Sequence, residues 1–256
     1  MSEKATPFER MIISAARELP NNTTIFVGVG IPLYATIFAM KYYNLNITAL
    51  IEGGNCRTIP PRRPPIIMEA HDWITMADWN GTMIDAFSMA QRGLIEYGFI
   101  SGGQCDKYGN VNSTCAGNYH KPFLRWPGGG GAGDVASLCK KTIIIMPQNK
   151  LRLRERVDFI TAPGYLDGPG ARERAGLPPG TGPIMLITQL GVYRFDENTK
   201  ELYLSGYYSG VTIEEIKQNT GFDVKISPKV REIEEPTPDE IKNLREILKH
   251  APMVFT

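Results

Sequence analysis

Residues 24–54, TIFVGVGIPLYATIFAMKYYNLNITALIEGG, decide the fold. The stretch begins with a short apolar run, continues through a helix-length segment that follows Pro32, and ends with a second apolar run, Ile47–Ile51. The apolar character of both short runs is continuous and not alternating, which favours strands covered on both faces, as in a parallel sheet with helices on each side. Residues 33–43 supply the connecting helix. The stretch therefore predicts a β-α-β unit.

The same rhythm continues along the chain. Residues 82–96 are expected to form a further helix, and residues 191–195 and 202–207 are expected to form an antiparallel hairpin at the edge of the sheet. Other continuous apolar runs predict strands at residues 98–100, 142–146, 158–161 and 184–188. We therefore expect a single α/β domain over residues 1–256, with an open, mostly parallel sheet and helices on both faces.

Three helix starts carry capping-box sequences, in which a Thr side chain and a Glu three residues later satisfy the first N–H groups of a helix. These are TPFE at residues 6–9, TIEE at residues 212–215 and TPDE at residues 237–240. The first and third also place Pro at the first helical position, where its missing N–H costs nothing. Helices are therefore predicted to begin just after each of the three Thr residues.

Composition excludes several classes of protein. The chain has 28 Lys and Arg against 27 Asp and Glu, so it lacks the excess positive charge expected of a nucleic-acid binder. Its longest apolar stretch, residues 25–40, falls short of the about 20 residues that span a bilayer. The amino terminus contains two glutamates and has no apolar segment of a signal peptide. The four cysteines form no C-x-x-C pair, and we expect a soluble, reduced, cytoplasmic protein.

Several common chemistries lack their sequence signatures. Residues 28–33, GVGIPL, begin like a dinucleotide-binding turn, but Leu33 stands where the third glycine is needed. The sequence contains no phosphate-binding P-loop and no G-x-S-x-G serine motif. Its three histidines do not lie at metal-ligand spacing, so no metal site is expected.

Two features point to chemistry. Glu52 directly follows the apolar run Ile47–Ile51 and precedes two glycines, which places a carboxylate at the carboxyl end of a buried strand. Residues 128–133, GGGGAG, come just before a predicted helix, and consecutive glycines can direct several backbone N–H groups at one oxygen. Taken alone, the glutamate is also compatible with a turn cap or a surface ion pair, and the glycines with a simple connection.

These features occur within a series of motifs that resembles the B (β) subunit of class I coenzyme A-transferases, in particular the glutaconate CoA-transferase branch. The matching segments follow one another over nearly the whole chain. They are VGVGIPL (residues 27–33), IEGG (51–54), GGQCDKYGNVNST (102–114), RWPGGGGA (125–132), APGYLDGPGARERAGLP (162–178), RFDENTKELYLSGYY (194–208) and NTGFDVKIS (219–227).

The resemblance implies a role for each site residue. The family's E-x-G motif maps onto residues 52–54, which makes Glu52 the nucleophile, and its G-x-G-G-A motif maps onto residues 128–132. It implies that a loop comprising Gly128, Gly130, Gly131 and Ala132 stabilises the oxyanion and positions the CoA thioester. Gly53, Gly54 and Asn55 form a candidate substrate loop. For the YGNVN segment (residues 108–112) and the GxGxP turn (residues 28–32), structural support is the default interpretation.

The resemblance also implies how the protein works. CoA passes from an acyl-CoA donor to a carboxylic acid, including dicarboxylic acids, by a ping-pong mechanism through a glutamyl-CoA thioester on Glu52. No cofactor is bound permanently, because the CoA thioester is itself a substrate. Subunits of this type pair with an A (α) subunit in a hetero-oligomer of αβ pairs, so this chain is expected to be inactive alone.

Two departures from the glutaconate branch leave the substrate open. Gly53 stands where those enzymes carry a hydroxyl residue, and residues 57–65, RTIPPRRPP, look unlike theirs. A CoA-thioester hydrolase or decarboxylase on the same scaffold, and a non-catalytic stabilising subunit, remain alternatives. Retention of Glu52 favours transfer.

Overall fold

The computed structural model describes residues 4–65 and 71–251, and the chain divides into two compact units. One unit comprises Met1–Phe99 together with Pro236–Thr256, and the other comprises Ile100–Glu235. A single domain over residues 1–256 stays a prediction.

The helices and strands of the described residues have the following bounds. The helices are α1 (Pro7–Arg17), α2 (Ile31–Lys41), α3 (His71–Ile74), α4 (Met83–Gln91), α5 (Ala132–Leu138), α6 (Ala171–Arg174), α7 (Ile213–Gln218) and α8 (Pro238–Leu248). The strands are β1 (Thr23–Val27), β2 (Ile47–Ile51), β3 (Asn55–Arg57), β4 (Trp79–Asn80), β5 (Tyr97–Ile100), β6 (Gln104–Asp106), β7 (Val111–Asn112), β8 (Cys115–Asn118), β9 (Lys121–Arg125), β10 (Lys141–Ile145), β11 (Leu153–Arg154), β12 (Gly182–Ile187), β13 (Gly191–Phe195), β14 (Leu202–Tyr207) and β15 (Lys225–Glu232).

The sheet of the first unit is built around β1. This strand pairs in parallel with β2 on one side and with β5 on the other, and β3 and β4 extend the sheet beyond β2 in antiparallel pairs. Both β1 and β2 have three consecutive fully buried residues at their carboxyl ends, as strands covered on both faces do. The predicted β-α-β unit is therefore confirmed, with α2 as its connecting helix.

Helices α1, α2 and α8 pack together in this unit. Complete capping boxes begin α1 and α8, as the sequence predicts, and their third-position glutamates are bound by arginines from the other helix. Arg17 of α1 donates to Glu240 at 2.6 Å, and Arg245 of α8 donates to Glu9 at 2.7 Å. Helices α1 and α8 are thus held to each other by two reciprocal ion pairs.

The sheet of the second unit has a parallel pair, β10 and β12, followed by an antiparallel meander of β12, β13 and β14. The predicted hairpin of β13 and β14 is confirmed, but β15 pairs in parallel with β14 and takes the outer position. Smaller sheets join β11, β6 and β7, and β8 with β9. The predicted α/β fold, with a mostly parallel sheet, helices and an antiparallel hairpin, is confirmed.

Two predicted elements differ from the structure. Residues 158–161 form no strand, because Asp158 is bound by side chains and by a backbone N–H instead of by a strand ladder, and only Ala162 makes a single bridge to Val111. Helix α4 ends at Gln91, short of the predicted residue 96, because Gly93 adopts a left-handed backbone with a φ of 71°.

Candidate active site

Glu52 lies at the tip of a tight hairpin between β2 and β3. The hairpin turn is closed by a hydrogen bond from the Gly54 N–H to the Ile51 carbonyl at 3.0 Å. Strand β3 then returns antiparallel to β2, with Cys56 opposite Leu50. Glu52 is half-buried, whereas the strand that carries it is buried up to Ile51. The structure therefore places this carboxylate where the sequence predicts it, on a turn directly after a buried strand.

Gly54 allows this turn to lie against the start of helix α4. Its φ is +90°, a conformation that side chains with a Cβ rarely adopt. A Cβ added here would lie 2.3 Å from the carbonyl oxygen of Thr82, the residue that caps α4. The Gly81 N–H also donates to the Gly54 carbonyl at 2.9 Å. The glycine is required both by the turn and by the close backbone approach.

Asn55 fastens the same hairpin. It is buried, and its Nδ2 donates to the Asn80 Oδ1 of β4 at 2.7 Å. Its backbone carbonyl accepts a hydrogen bond from Trp73 Nε1 at 3.4 Å. Asn55 thus holds the hairpin that carries Glu52 against β4, and its role in a substrate loop with Gly53 and Gly54 stays a prediction.

Arg57 closes the base of the hairpin from inside the protein. Its guanidinium is buried and donates to backbone carbonyls of the neighbouring segment, at 2.9 Å to Asp72, 2.8 Å to Trp73 and 2.7 Å to Thr75. Burial lowers the pKa of Arg57, because it disfavours the charged form. Arg57 is the first residue of the segment 57–65, which looks unlike that of the glutaconate enzymes. The segment therefore begins at a residue that is fixed to the backbone of residues 72–75.

The glycine-rich turn, residues 128–131, directly precedes α5 in the second unit. The Gly128 N–H donates to the Ser113 carbonyl at 3.0 Å, and the Ala132 N–H donates to the Gly129 carbonyl at 2.9 Å. Within residues 4–65 and 71–251, the N–H groups of Gly129, Gly130 and Gly131 donate to no other group. Of residues 128–132, Gly129, Gly130 and Gly131 therefore have N–H groups without an acceptor among the described residues, whereas Gly128 and Ala132 use theirs to shape the turn.

The contacts of the YGNVN segment are structural, in line with its default interpretation from the sequence. Asp106, just before it, is buried and accepts hydrogen bonds from the Tyr108 and Asn110 N–H groups and from Asn110 Nδ2, each at 3.0 Å. Asn110 Oδ1 in turn accepts from the Gly164 N–H at 2.9 Å and the Leu166 N–H at 3.1 Å. The segment thus fixes the start of the long loop formed by residues 162–183. Burial raises the pKa of Asp106 to about 6, although these donors favour its charged form.

Arg172 fixes the same loop from within. Only 2% of it is exposed, and its guanidinium donates to the Pro163 and Gly164 carbonyls at 2.9 and 2.8 Å. It also donates at 3.0 Å to the carbonyl of Ala136, in the helix that follows the glycine-rich turn. Burial lowers the pKa of Arg172. Sequence reasoning missed both Asp106 and Arg172, because their partners are distant along the chain or are backbone atoms.

The predicted site residues thus form two clusters. Glu52, Gly53, Gly54 and Asn55 lie together on one turn of the first unit, and Gly128, Gly130, Gly131 and Ala132 lie together in the second unit. Among the described residues, no group of three or more His, Cys, Asp or Glu side chains could hold a metal ion. No helix of that part of the chain is long and apolar enough to cross a membrane.

Comparison with known proteins identifies the family. Residues 8–219 match the model of the family described as coenzyme A transferase. The chain is 38% identical to the B subunit of glutaconate CoA-transferase from Acidaminococcus fermentans, over 93% of this chain and 90% of that protein. It is 32% identical to the B subunit of 3-oxoadipate CoA-transferase from Pseudomonas knackmussii, over 93% of this chain and 91% of that protein.

Solved structures agree. The crystal structure of glutaconate coenzyme A-transferase from Acidaminococcus fermentans superposes with a TM-score of 0.91 and 34% identity, covering 96% of this chain and 95% of that one. The decarboxylase AibA/AibB superposes with a TM-score of 0.79 at 21% identity, covering 94% of each chain, and so shares the fold alone. The protein therefore belongs to the coenzyme A transferase family of enzymes, among the subunits of the B type.

Proposed function

We propose that this chain is the catalytic B subunit of a heteromeric CoA-transferase, in which Glu52 carries the acyl group and then CoA. The observation that carries the proposal is the position of Glu52 on a rigid turn directly after a buried strand. Asn55 and Gly54 tie that turn to its neighbours, so the backbone that carries the carboxylate is held in place before substrate arrives. The substrates are an acyl-CoA donor and a carboxylic acid acceptor, with dicarboxylic acids among the candidates.

The proposed reaction passes through two covalent intermediates on Glu52. The Glu52 carboxylate attacks the thioester carbonyl of the donor, and the CoA thiolate leaves, which gives a mixed acyl-glutamyl anhydride. The thiolate then attacks the glutamyl carbonyl, and the donor's carboxylate leaves, which gives a glutamyl-CoA thioester. The acceptor carboxylate reverses both steps and leaves as its CoA thioester. Each step exchanges one leaving group for one nucleophile, and the steps consume no proton or oxidant.

The glycine-rich turn would stabilise the oxyanion that forms in each addition step. The three N–H groups of residues 129–131 lack partners among the described residues and so are available as donors. Removing one such donor in a protease costs about 3–4 kcal/mol of transition-state stabilisation. A carboxylate is a weak nucleophile, so this contribution is the kind that the reaction requires.

An anhydride must be kept from water, because hydrolysis would end the transfer. We propose that residues 57–65 and 162–183, together with a separate A subunit, exclude water during the reaction. Both segments are fixed at their starts by buried groups, Arg57 in the first case and Asn110 with Arg172 in the second. The A subunit completes the enzyme, and the chain alone is expected to be inactive. The absence of a permanently bound cofactor and a cytoplasmic location stay predictions.

The decisive experiment looks for the covalent intermediate. The co-purified A and B subunits are incubated with acetyl-, propionyl-, succinyl- and glutaryl-CoA separately, denatured, digested and analysed by mass spectrometry. We expect CoA to be attached through a thioester to the peptide that contains Glu52. Glu52→Gln should abolish both the label and the transfer of CoA to an acceptor acid. Glu214→Gln, which changes an exposed glutamate of α7, is the matched control and should retain both.

The outcomes separate the alternatives. Transfer activity without any label would contradict the covalent mechanism. Release of free CoA without transfer would identify a thioester hydrolase, and an active complex containing Glu52→Gln would identify a non-catalytic stabilising subunit. Transfer by this chain without the A subunit would contradict the requirement for a partner.

A further inference from the structure

The glycine-rich turn packs against Thr161, a residue that lies outside both the E-x-G motif (residues 52–54) and the G-x-G-G-A motif (residues 128–132). A Cβ added to Gly129 would lie 2.5 Å from the Cγ2 methyl of Thr161, which is closer than two such atoms can approach. A Cβ added to Gly133, in the first turn of α5, would lie 3.1 Å from the Thr161 carbonyl oxygen. The side chain of Thr161 thus lies against the turn, and its backbone lies against the helix that follows the turn.

Thr161 is itself held in one orientation. Its N–H donates to the Val111 carbonyl at 2.9 Å, and its Oγ1 accepts from the Ser113 N–H at 2.9 Å. The same oxygen is hydrogen-bonded to the Thr114 hydroxyl at 2.7 Å. Because the two substituents on a threonine Cβ turn together, fixing Oγ1 also fixes the direction of the methyl. The hydroxyl therefore aims the methyl at Gly129.

Ser113 is hydrogen-bonded both to Thr161 and to the first residue of the glycine-rich turn, Gly128. Its N–H donates to Thr161, and its carbonyl accepts the Gly128 N–H at 3.0 Å. One residue next to the YGNVN segment thus fixes both the support and the first residue of the turn. Residues 111–114 therefore position the glycine-rich turn, and residues 111 and 112 also pair as a strand.

We propose that Thr161 is a positioning residue, whose hydroxyl-anchored methyl sets where the N–H groups of Gly129, Gly130 and Gly131 point. This inference rests on the proposed function, in which those N–H groups stabilise the oxyanion. It assigns a reason for glycine at position 129, where the backbone conformation does not demand one, because φ lies outside the left-handed region. The requirement comes from the methyl of Thr161.

The geometry predicts a specific rescue. Gly129→Ala brings its methyl against Thr161 Cγ2 and displaces the turn, whereas the next nearest atoms lie 3.9 Å away, an ordinary contact distance. Thr161→Ser removes only Cγ2 and keeps the hydroxyl that bonds Ser113 and Thr114. The double variant G129A/T161S therefore has room for the added methyl. G129A/T161V retains a methyl at the contact and loses the hydroxyl, so it has neither the room nor the anchor.

The experiment measures steady-state kinetics of the co-purified A and B subunits, with whichever of the four acyl-CoAs labels Glu52 fastest. Displacement of a reacting group by about 1 Å costs on the order of 100-fold in rate. We expect G129A to lower kcat about 100-fold with the KM for the donor changed less than threefold. G129A/T161S should recover to within about tenfold of wild type, and G129A/T161V should not recover. Thr142→Ser, which removes a buried threonine methyl from β10, is the control and should leave kcat unchanged.

Each result decides between two failures. A G129A enzyme with wild-type kcat, or equal recovery by the serine and valine double variants, overturns the role of Thr161 and leaves the proposed function intact. No Glu52 label in the wild-type complex with any of the four donors overturns the proposed function and this inference with it. If G129A does not assemble with the A subunit, the single variants T161S and T161V decide. If neither single variant lowers kcat, the inference is overturned.

Discussion

Replacing Gly54 by Ala tests whether the hairpin that carries Glu52 is fixed by its backbone approach to α4. The added Cβ would lie 2.3 Å from the Thr82 carbonyl oxygen, 2.5 Å from its carbonyl carbon and 2.6 Å from its nitrogen. All three are backbone atoms, so no side-chain rotation can relieve the overlap. Thr82 is also held by its capping box with Asp85. The hairpin tip must therefore move.

The expected cost has two parts. An alanine at a φ of +90° costs roughly 1–2 kcal/mol because its Cβ crowds the following carbonyl. Forcing a methyl into a packed contact costs typically about 1–3 kcal/mol more. The sum, about 2–5 kcal/mol, corresponds to a fall in melting temperature of roughly 10 °C for a unit of this size.

Thermal unfolding and Glu52 labelling measure the two consequences separately. Gly28→Ala is the matched control, because a Cβ at Gly28 meets no atom within 4 Å and its φ lies outside the left-handed region. That control should melt at or slightly above the wild-type temperature, since alanine reduces the entropy of the unfolded chain. In the complex, G54A should form the glutamyl-CoA thioester at least tenfold more slowly, because the carboxylate is displaced.

The reasoning is refuted if G54A melts within about 2 °C of G28A and forms the glutamyl-CoA thioester at the wild-type rate. A difference of about 2 °C in melting temperature is well below the fall expected from the cost above. A G54A protein that melts early but labels normally would show that displacing the hairpin tip, and Glu52 with it, does not slow the reaction. That result would contradict the rigid placement of the nucleophile while leaving the steric analysis standing.

Two further predictions concern the buried ionic groups. Burial alone would raise the pKa of Glu240, but hydrogen bonds from Arg17 and Tyr43 lower it to about 2. The contribution of Glu240 to the stability of the fold is therefore present above about pH 4.5 and is lost as the pH falls towards 2. Glu240→Gln should therefore lower the free energy of unfolding at pH 7 by about 3 kcal/mol and flatten the acid limb of a urea-midpoint profile, and an unchanged acid limb would contradict the assignment. Arg172→Met should leave the carbonyls that Arg172 binds without donors, at about 1–3 kcal/mol for each buried group. Limited proteolysis should then cut within residues 162–183 faster than in the wild type, and equal cleavage rates would show that other contacts hold the loop.

Local patterns in the sequence were sufficient for the parts of the fold that local chemistry decides. The capping boxes at Thr6 and Thr237 begin α1 and α8, and the apolar run Ile47–Ile51 is a buried parallel strand. Strand β15 escaped prediction because most of its residues are half or fully exposed, so it lacks a continuous apolar run. Residues 158–161 were wrongly predicted as a strand for the opposite reason. Phe159 and Ile160 are apolar but exposed, and the neighbouring Asp158 is bound by the Gln104 side chain.

The candidate site divides in the same way. The position of Glu52 at a strand end follows from the sequence, because the residues that place it there are adjacent to it. The support of the glycine-rich turn does not, because Thr161 reaches Gly129 across 32 positions of the chain and acts through a single methyl. Likewise, the N–H groups of Gly128 and Ala132 are consumed by bonds that only the folded turn reveals.

The reciprocal ion pairs between α1 and α8 have a consequence during synthesis. The first unit includes residues from both sides of Ile100–Glu235, so α8 leaves the ribosome only after that whole segment has been translated. At roughly 5–20 residues per second, the nascent chain waits on the order of 10 s for its last helix. Until then Glu9 lacks Arg245, and the surfaces of α1 and α2 that pack on α8 remain uncovered.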